Sequence, residues 1–298
     1  MGYYFMNINN SCSNNIPVLS SILLFILCLY NPLAISVDDT VRFDANYSPT
    51  WGRDHVTVVG DGTQVQLSLD ERSGAGFHSN QKYGSGIFRM KLKLPNKKDK
   101  GIITTFYLTG LPAGQPTGGP HDEADFEFLG SNGKKFIVST NVFANDNGDR
   151  EQQFTLWFDP TLDFHVYEIL WNQHHIVFSV DGIPIRVYHN FKAQIGANYP
   201  SQQMHVESSI WNMTDWLGPV DWSQGPFVAE YRGFGLDACV HQPSDPQDCH
   251  SSKYYWNDPK YWQLTPQQNK LLKYVRRNHL VYDYCGDRKK HFIECKIH

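Results

Sequence analysis

The chain has 298 residues, with 26 Lys or Arg against 30 Asp or Glu, and a formal net charge of −4. A hydrophobic content of 41% is enough to build a sizeable core. The modest charge and the lack of a long basic run argue against nucleic acid as a partner. Aromatic residues make up 14%, including 8 Trp and 16 Tyr, the side chains that also stack on sugar rings.

Residues 1–36 are predicted to be a signal peptide. Their apolar centre, residues 22–30, is short for a membrane helix, and Ala34-Ile35-Ser36 places small residues where signal peptidase requires them. An uncleaved signal anchor is the alternative, although the acidic stretch VDDT that follows carries no stop-transfer charges. Cleavage would release a secreted chain without a membrane segment.

Cysteine usage agrees with secretion. Cys12 and Cys28 would leave with the signal peptide, and an even set remains: Cys239, Cys249, Cys285 and Cys295. Three pairings are open, and the close spacing favours bonding the first to the second and the third to the fourth. A zinc site is the alternative, disfavoured because no C-x-x-C occurs. Sequons at Asn46 and Asn212 permit N-glycosylation on the secretory route.

From residue 50 to about 235, short strand patterns alternate with turns. In FRMKLKL, residues 88–94, apolar and basic side chains alternate with a period of two, and Asp181-Gly182 is a hairpin signal between two alternating runs. Further strand candidates are IITTFYL, FIVSTNVF, FHVYEILW, QMHVESSIW and FVAEYRGF. No long helical period interrupts them. Residues 37–238 are therefore predicted to form an all-β domain, an antiparallel β-sandwich or jelly roll.

Helical features appear only in residues 239–298. Thr265 is a plausible N-cap with Pro266 at the first helical position, and an apolar stripe runs through KLLKYVRRNHL. This segment is predicted to be a partly helical, disulfide-tied extension packed on the β domain.

The stretch HDEADFEFLG, residues 121–130, crowds four carboxylates into six positions. On a strand, Ala124, Phe126 and Phe128 would face the core, while Glu123, Asp125 and Glu127 would share the other face. The face that carries Glu123, Asp125 and Glu127 has no Lys or Arg. Because adjacent like charges are locally unfavourable, this row of carboxylates indicates a functional site.

The spacing suits glycosidic chemistry. Glu123 and Glu127 have Cα atoms about 13 Å apart along a strand, and their side chains can bring the carboxyl groups to about 5–6 Å. That separation is typical of a retaining glycosidase, in which one carboxylate attacks and the other protonates the leaving oxygen. Asp125, shorter and between them, is expected to form a hydrogen bond with a neighbour. Its charge is expected to help separate the pKa values of Glu123 and Glu127.

This stretch allows two other interpretations. A Ca²⁺ or Zn²⁺ site could use His121, Asp122, Glu123 and Asp125, but His121 and Asp122 face opposite ways on a strand, and metal ligands usually come from loops. A non-catalytic lectin would not need a bare row of acids. We therefore expect no metal and no cofactor.

The motif H-D-E-x-D-F-E-F-L-G resembles the catalytic signature of the plant xyloglucan endotransglucosylase/hydrolases in glycoside hydrolase family 16. The resemblance extends to NVFANDNGDREQQFTLWFDPTLDFHVYEILWN, FSVDGIPIRVY, SSIWNMTDW and the C-terminal YDYC and EC, which is essentially the whole chain after the signal peptide. It implies a curved β-jelly roll with an open substrate groove and a C-terminal extension tied by two disulfides.

The resemblance also implies residue roles. Glu123 corresponds to the nucleophile, Glu127 to the general acid/base, and Asp125 to a helper beside the nucleophile. The implied substrate contacts are Ser139, Thr140, Asn141, Asp149, Arg150, Glu151, Trp211, Asp215, Trp216 and Arg288.

The implied reaction cuts the β-1,4-glucan backbone of xyloglucan and religates it onto another xyloglucan chain or oligosaccharide, so donor and acceptor are the expected partners. We expect a monomer, secreted to the plant cell wall or apoplast. The alternatives are a mainly hydrolytic endo-xyloglucanase or β-glucanase, and an inactive wall-polysaccharide-binding protein. Two departures from the family pattern are Ala124, where Ile or Val is usual, and a shortened loop over residues 216–220.

Overall fold

The computed structural model describes residues 37–96, 99–115, 119–130, 135–146, 148–245 and 247–297, with only the backbone of Trp216. The predicted signal peptide, with Cys12 and Cys28, lies outside these residues. The strands are β1 (Tyr47–Trp51), β2 (Val56–Val59), β3 (Gln64–Leu69), β4 (Ala75–Ser79), β5 (Tyr83–Lys93), β6 (Ile102–Thr109), β7 (His121–Leu129), β8 (Ile137–Asp146), β9 (Gln152–Thr155), β10 (His165–Trp171), β11 (His175–Val180), β12 (Ile183–His189), β13 (His205–Asn212), β14 (Phe227–Arg232), β15 (Asp237–Val240) and β16 (Leu280–Asp283). The α-helices are α1 (Phe43–Asn46), α2 (Lys192–Ile195), α3 (Thr214–Leu217) and α4 (Pro266–His279).

Within the described ranges the strands form two antiparallel sheets packed as a sandwich. The groove sheet has the order β1-β4-β13-β6-β7-β8-β9-β16, and the outer sheet has the order β12-β11-β10-β5-β14-β3-β2, with β15 added beside β5. Neighbours that are distant in sequence, such as β13 and β6, show that the chain crosses between positions as in a jelly roll. The predicted all-β sandwich is confirmed.

Local sequence explains the strands well. In β5, Phe88, Met90 and Leu92 are buried, while the basic residues between them are half-buried, as the period of two predicted. Asp181 and Gly182 join β11 to β12 with φ angles of 48° and 76°. Both values lie in the left-handed region that a two-residue hairpin of this kind requires.

The C-terminal extension is built onto both sheets. Strand β15 contains the predicted boundary at 238/239, and β16 pairs with β9 to form the last strand of the groove sheet. Helix α4 begins at Thr265, whose side chain accepts from the Gln268 backbone while the Gln268 side chain accepts from the Thr265 backbone. Both predicted disulfides, Cys239–Cys249 and Cys285–Cys295, are formed.

A buried ion pair also ties the extension to the groove sheet. Arg150 Nε donates to Glu294 Oε1 at 2.6 Å, and Arg150 Nη1 donates to Asp146 Oδ2 at 2.7 Å. The side chains of Arg150 and Glu294 are each only 4% exposed. Removing Glu294 would leave the buried Arg150 guanidinium with only the 30% exposed Asp146 carboxylate as its counter-charge.

We expect Glu294→Gln to lower the free energy of unfolding by about 3 kcal/mol, because the Arg150 guanidinium loses a buried counter-charge. Urea unfolding followed by fluorescence measures the change. The matched control is Asp44→Asn, which breaks the pair between Asp44 and Arg42, whose side chains are 67% and 56% exposed, and should cost much less. A loss below about 1 kcal/mol for Glu294→Gln would contradict this account.

Candidate active site

Strand β7 presents its carboxylates to one face and its apolar side chains to the other. Ala124 and Phe126 are fully buried and Phe128 is 2% exposed, all in the core between the sheets. Glu123 and Glu127 line a groove on the opposite face, with Asp125 between them. The two faces predicted from the alternation are confirmed.

Aromatic contacts hold β7 rigidly against the outer sheet. The rings of Phe128 and Tyr167 lie 4.5 Å apart between centroids, and those of Phe126 and Phe178 lie 5.3 Å apart. The motif ends in Gly130 because a Cβ at this position would lie 1.9 Å from the Asp99 carbonyl oxygen. Rigid support of this kind fixes the positions of the carboxylates on β7.

The groove encloses about 610 Å³ on the open face of the groove sheet. Its lining combines acids, aromatic rings and small polar groups, the mixture that carbohydrate sites use. The lining residues are Trp51, Thr105, Tyr107, Gly114, Gln115, Glu123, Asp125, Phe126, Glu127, Asn141, Phe143, Glu207, Ser209, Trp211 and Met213. No Lys or Arg is among these described lining residues.

Glu127 is suited to act as a proton donor. Burial raises its pKa to about 7, with the charges of Glu123 and Glu151 acting in the same direction. The Ser139 hydroxyl, which lies opposite Glu127 in the strand register, acts the other way. Glu127 therefore holds its proton at mildly acidic pH, as a general acid must.

Asp125 is more strongly perturbed than Glu127. Burial raises its pKa well above the ordinary range, the charges of Glu123 and Glu127 add to the shift, and the Arg186 guanidinium opposes it. Asp125 is therefore neutral and can donate its proton to Glu123 in a hydrogen bond. The expectation that an Asp125 charge separates the glutamate pKa values is thereby corrected, since the shift of Glu127 comes first from burial and then from Glu123.

His121 lies beside the Glu123 carboxylate. Its Nε2 is 3.3 Å from Glu123 Oε2, its Nδ1 is 2.9 Å from the Gly119 carbonyl oxygen, and its ring stacks on Phe143 with centroids 4.8 Å apart. The hydrogen bond to Glu123 raises the pKa of His121. The charged ring donates from both nitrogens and so holds one Glu123 oxygen in place.

We expect His121→Phe, which keeps the stacked ring, to lower kcat/KM about tenfold at acidic pH because a charged hydrogen bond to Glu123 is lost. The deficit should shrink as pH rises, since the folded-state pKa is raised and the charged form disappears above it. A pH series of initial rates for both proteins measures this. A deficit that does not change with pH would mean that the hydrogen bond is not responsible.

Several predicted substrate contacts lie at or beside the groove. Asn141 and Trp211 line it, and Asn141 stands opposite Asp125 in the register. Ser139 shares the face of Glu127 but is fully buried. Glu151 lies near enough for its charge to raise the pKa of Glu127.

Thr140 and Arg150 are not brought to the groove. Thr140 lies on the core face of β8, where its Oγ1 donates to the Gln152 carbonyl oxygen and stands 3.1 Å from Arg186 Nη1. Arg150 is 3% exposed, with its guanidinium bound to Glu294 and Asp146. In this structure both support the sheet beneath the site.

Three further predicted contacts, Asp149, Asp215 and Arg288, lie outside the groove lining. Asp149 is exposed and paired with Lys290, while Asp215 on α3 and Arg288 in the extension are also exposed. The Trp216 side chain is outside the described part of the chain. The shortened loop turns back at Gly218, whose carbonyl oxygen would lie 2.7 Å from a Cβ at Gly101.

Sequence reasoning missed nine of the described groove residues: Trp51, Thr105, Tyr107, Gly114, Gln115, Phe143, Glu207, Ser209 and Met213. Tyr107 and Glu207 occupy positions on predicted strands, but only the pairing of β13, β6 and β7 places them in a row with Asp125. Trp51 lies close over Gly76, where a Cβ would be 2.5 Å from its Nε1. No local pattern identifies any of these contacts.

The described residues contain neither a metal-binding cluster nor a membrane-spanning helix. In the ranges given above, no group of three or more His, Cys, Asp or Glu could hold a metal ion. No helix in those ranges is long and apolar enough to cross a bilayer.

Known families and structures match the fold and the carboxylate strand. The profile of Glycosyl hydrolases family 16 matches residues 43–224, and that of the Xyloglucan endo-transglycosylase C-terminus matches residues 250–295. The solved Bacillus licheniformis β-glucanase is similar, with a TM-score of 0.52 and 25% identity over 63% of this chain and 89% of that one. Fold and site thus define the class, a family 16 jelly-roll glycoside hydrolase.

Similar plant proteins show to which family within this class the chain belongs. Xyloglucan endotransglucosylase/hydrolase protein 2 of Arabidopsis thaliana is 44% identical over 267 residues, 86% of this chain and 89% of that relative. Xyloglucan endotransglucosylase/hydrolase protein 3 of the same plant is 45% identical over 263 residues, 86% and 88% of the two chains. The chain belongs to the xyloglucan endotransglucosylase/hydrolase family.

Proposed function

We propose that the chain cuts the β-1,4-glucan backbone of xyloglucan with retention and religates it onto a second xyloglucan chain. The observation that carries this proposal is β7, which presents Glu123 and a proton-holding Glu127 to one groove. The names of the relatives support xyloglucan as the donor and as the acceptor.

In the first step, a Glu123 oxygen attacks the anomeric carbon and forms the glycosyl-enzyme ester. The glycosidic C–O bond breaks, and the Glu127 proton passes to the leaving oxygen. Asp125 and His121 each hold a Glu123 oxygen by hydrogen bonds, which orients the attacking carboxylate. The chain beyond the cut leaves with a free hydroxyl.

In the second step, Glu127 is a carboxylate and acts as general base. It removes the proton of an acceptor hydroxyl as that oxygen attacks the anomeric carbon, and the Glu123 ester bond breaks. A sugar acceptor gives transfer and water gives hydrolysis, so the occupancy of the acceptor side of the groove decides the product.

Incubation with xyloglucan and a fluorescently labelled xyloglucan oligosaccharide tests the proposal. We expect label to enter high-molecular-mass polymer, with little shortening when the acceptor is abundant. Shortening without incorporation would favour the hydrolytic alternative, and binding with neither reaction would favour the wall-binding alternative. Both of these outcomes contradict the proposal.

We further propose that residues 1–36 are removed and that the remaining chain acts as a monomer in the plant cell wall, with 37–238 as catalytic domain and 239–298 as extension. The two disulfides support an oxidising destination. For glycosylation, Asn212 is exposed and favoured. Asn46 is less suitable because its Nδ2 donates to the Phe234 carbonyl oxygen at 2.8 Å. N-terminal sequencing and mass measurement of the secreted protein test these points.

A further inference from the structure

Glu207 is a fourth acid in the groove, on a different strand from the other three. It stands opposite Tyr107 in β6, and Tyr107 stands opposite Asp125 in β7. Two strand spacings therefore separate Glu207 from Asp125, about 10 Å between Cα atoms. At that distance across the groove, Glu207 contacts a different part of a bound glucan from the part that reacts.

The contacts of Glu207 leave its carboxylate available to a ligand. Oε2 accepts from the Tyr107 hydroxyl at 2.9 Å, and Oε1 accepts from the Gly114 backbone at 3.4 Å. A carboxylate has about four acceptor positions, so about half of them remain. Glu207 is 4% exposed and lines the groove, so the remaining positions are available to what the groove binds.

Stability alone does not explain an acid here. Within the described part of the chain, neither partner of Glu207 is a cation, and the nearby Lys82 ammonium donates to the Gly110 carbonyl oxygen at 3.4 Å. A buried carboxyl group without a counter-charge is costly unless it serves a function. The ligand that suits it is uncharged and rich in hydroxyl donors.

We propose that Glu207, held by Tyr107, is a specificity-determining residue that accepts a hydrogen bond from a glucan hydroxyl next to the reacting sugar. The role proposed for Glu207 rests on the proposed function only for the identity of the ligand as a glucan. Trp51 on β1 lines the same groove and supplies an aromatic face for the apolar side of a sugar ring.

The protonation of Glu207 provides a distinctive test. Burial raises its pKa to about 7, and the charge of Glu123 adds to the shift, whereas Tyr107, Gly114 and Lys82 oppose it. The titratable or charged groups around it are His78 on β4, His205 on β13, Tyr107 on β6, Glu123 and Asp125 on β7, and Lys82 near the rim. Above that pKa a sugar hydroxyl meets a carboxylate, and below it a neutral acid.

Binding is compared in a Glu127→Gln background, so that the ligand stays intact. Calorimetry with a xyloglucan oligosaccharide long enough to span the groove gives the Kd with and without Glu207→Gln. We expect the substitution to raise the Kd about 5–10-fold at about pH 8.5 and less than about twofold at about pH 5.5, because Gln resembles the neutral acid. Glu230→Gln, a half-buried glutamate of the outer sheet, is the matched control.

A Kd ratio that is the same at both pH values overturns the proposal, because a purely structural effect would not follow the ionisation of Glu207. Tyr107→Phe keeps the Glu207 carboxylate but removes the hydroxyl that donates to it. We expect this variant to have a Kd about threefold higher at about pH 8.5. An unchanged Kd in that variant also overturns it. Transfer by the unsubstituted chain tests the proposed function separately, since these binding ratios need no turnover.

Discussion

Glu123→Gln is expected to lower both transfer and hydrolysis by at least about 10⁴-fold, because an amide cannot form the glycosyl-enzyme ester that we propose for Glu123. The amide nearly matches the carboxylate in size, and Glu123 contributes to the groove face rather than to the core. The fold should therefore be retained. Initial rates with labelled acceptor measure the loss, and the unfolding midpoint checks the fold.

Glu71→Gln is the control for this substitution, since Glu71 is exposed and away from the groove. Its rates should equal those of the unsubstituted chain. Substantial transfer by Glu123→Gln would assign the nucleophile to another residue. A smaller side chain gives a second check: Glu123→Ala with added azide should form a glycosyl azide of inverted configuration, since azide then attacks in place of the carboxylate.

Glu127→Gln is expected to lower the rate on xyloglucan by about 10²–10⁴-fold, because the leaving sugar oxygen must then depart unprotonated. A cello-oligosaccharide with a dinitrophenyl leaving group needs no such proton, so its first step should recover to within about tenfold. Release of dinitrophenol measures this step directly. Equal losses on both substrates would exclude Glu127 as the acid.

The pH dependence of glycosylation follows from the same group. Since the pKa of Glu127 is raised to about 7, the reactive acid form dominates below that value and the first step slows as pH rises through it. The Glu127→Gln variant should lack this alkaline decline on xyloglucan, at its lower overall rate. If the variant keeps the decline, another group sets it.

The carboxylate strand was predictable because its information is local. A period of two in HDEADFEFLG assigns each side chain to a face, and the core then fixes which face is buried. The capped helix α4 and the hairpin at Asp181-Gly182 were predictable for the same reason. In each case a few adjacent residues determine the structure.

The rest of the groove depends on pairing between distant segments. Glu207 reaches the site because β13 lies beside β6. The contact between Glu207 and Tyr107 joins residues that are 100 positions apart in the sequence. Arg150 is withdrawn into the sheet by Glu294, 144 residues further on. Neither partner can be identified from local pattern or composition.

Thr140 and Asp125 show two other limits. The alternation that puts Ser139 and Asn141 on the groove face puts Thr140 on the core face. For Thr140, the period of two is therefore a better guide to the side chain's position than the family resemblance. For Asp125, the sequence provides the charge but not the burial, and burial is what keeps this group neutral. Ala124 is fully buried in the core, as its position in the alternation predicted.

The proposed mechanism requires a covalent intermediate on Glu123, which mass spectrometry of the trapped protein can detect. The chain is incubated with a 2-deoxy-2-fluoro-cello-oligosaccharyl fluoride, which forms the glycosyl-enzyme but slows its breakdown, and is then digested. We expect one added oligosaccharide per chain, attached to Glu123 within the peptide that contains β7. An adduct on another carboxylate, or continued transfer after complete labelling elsewhere, would contradict it.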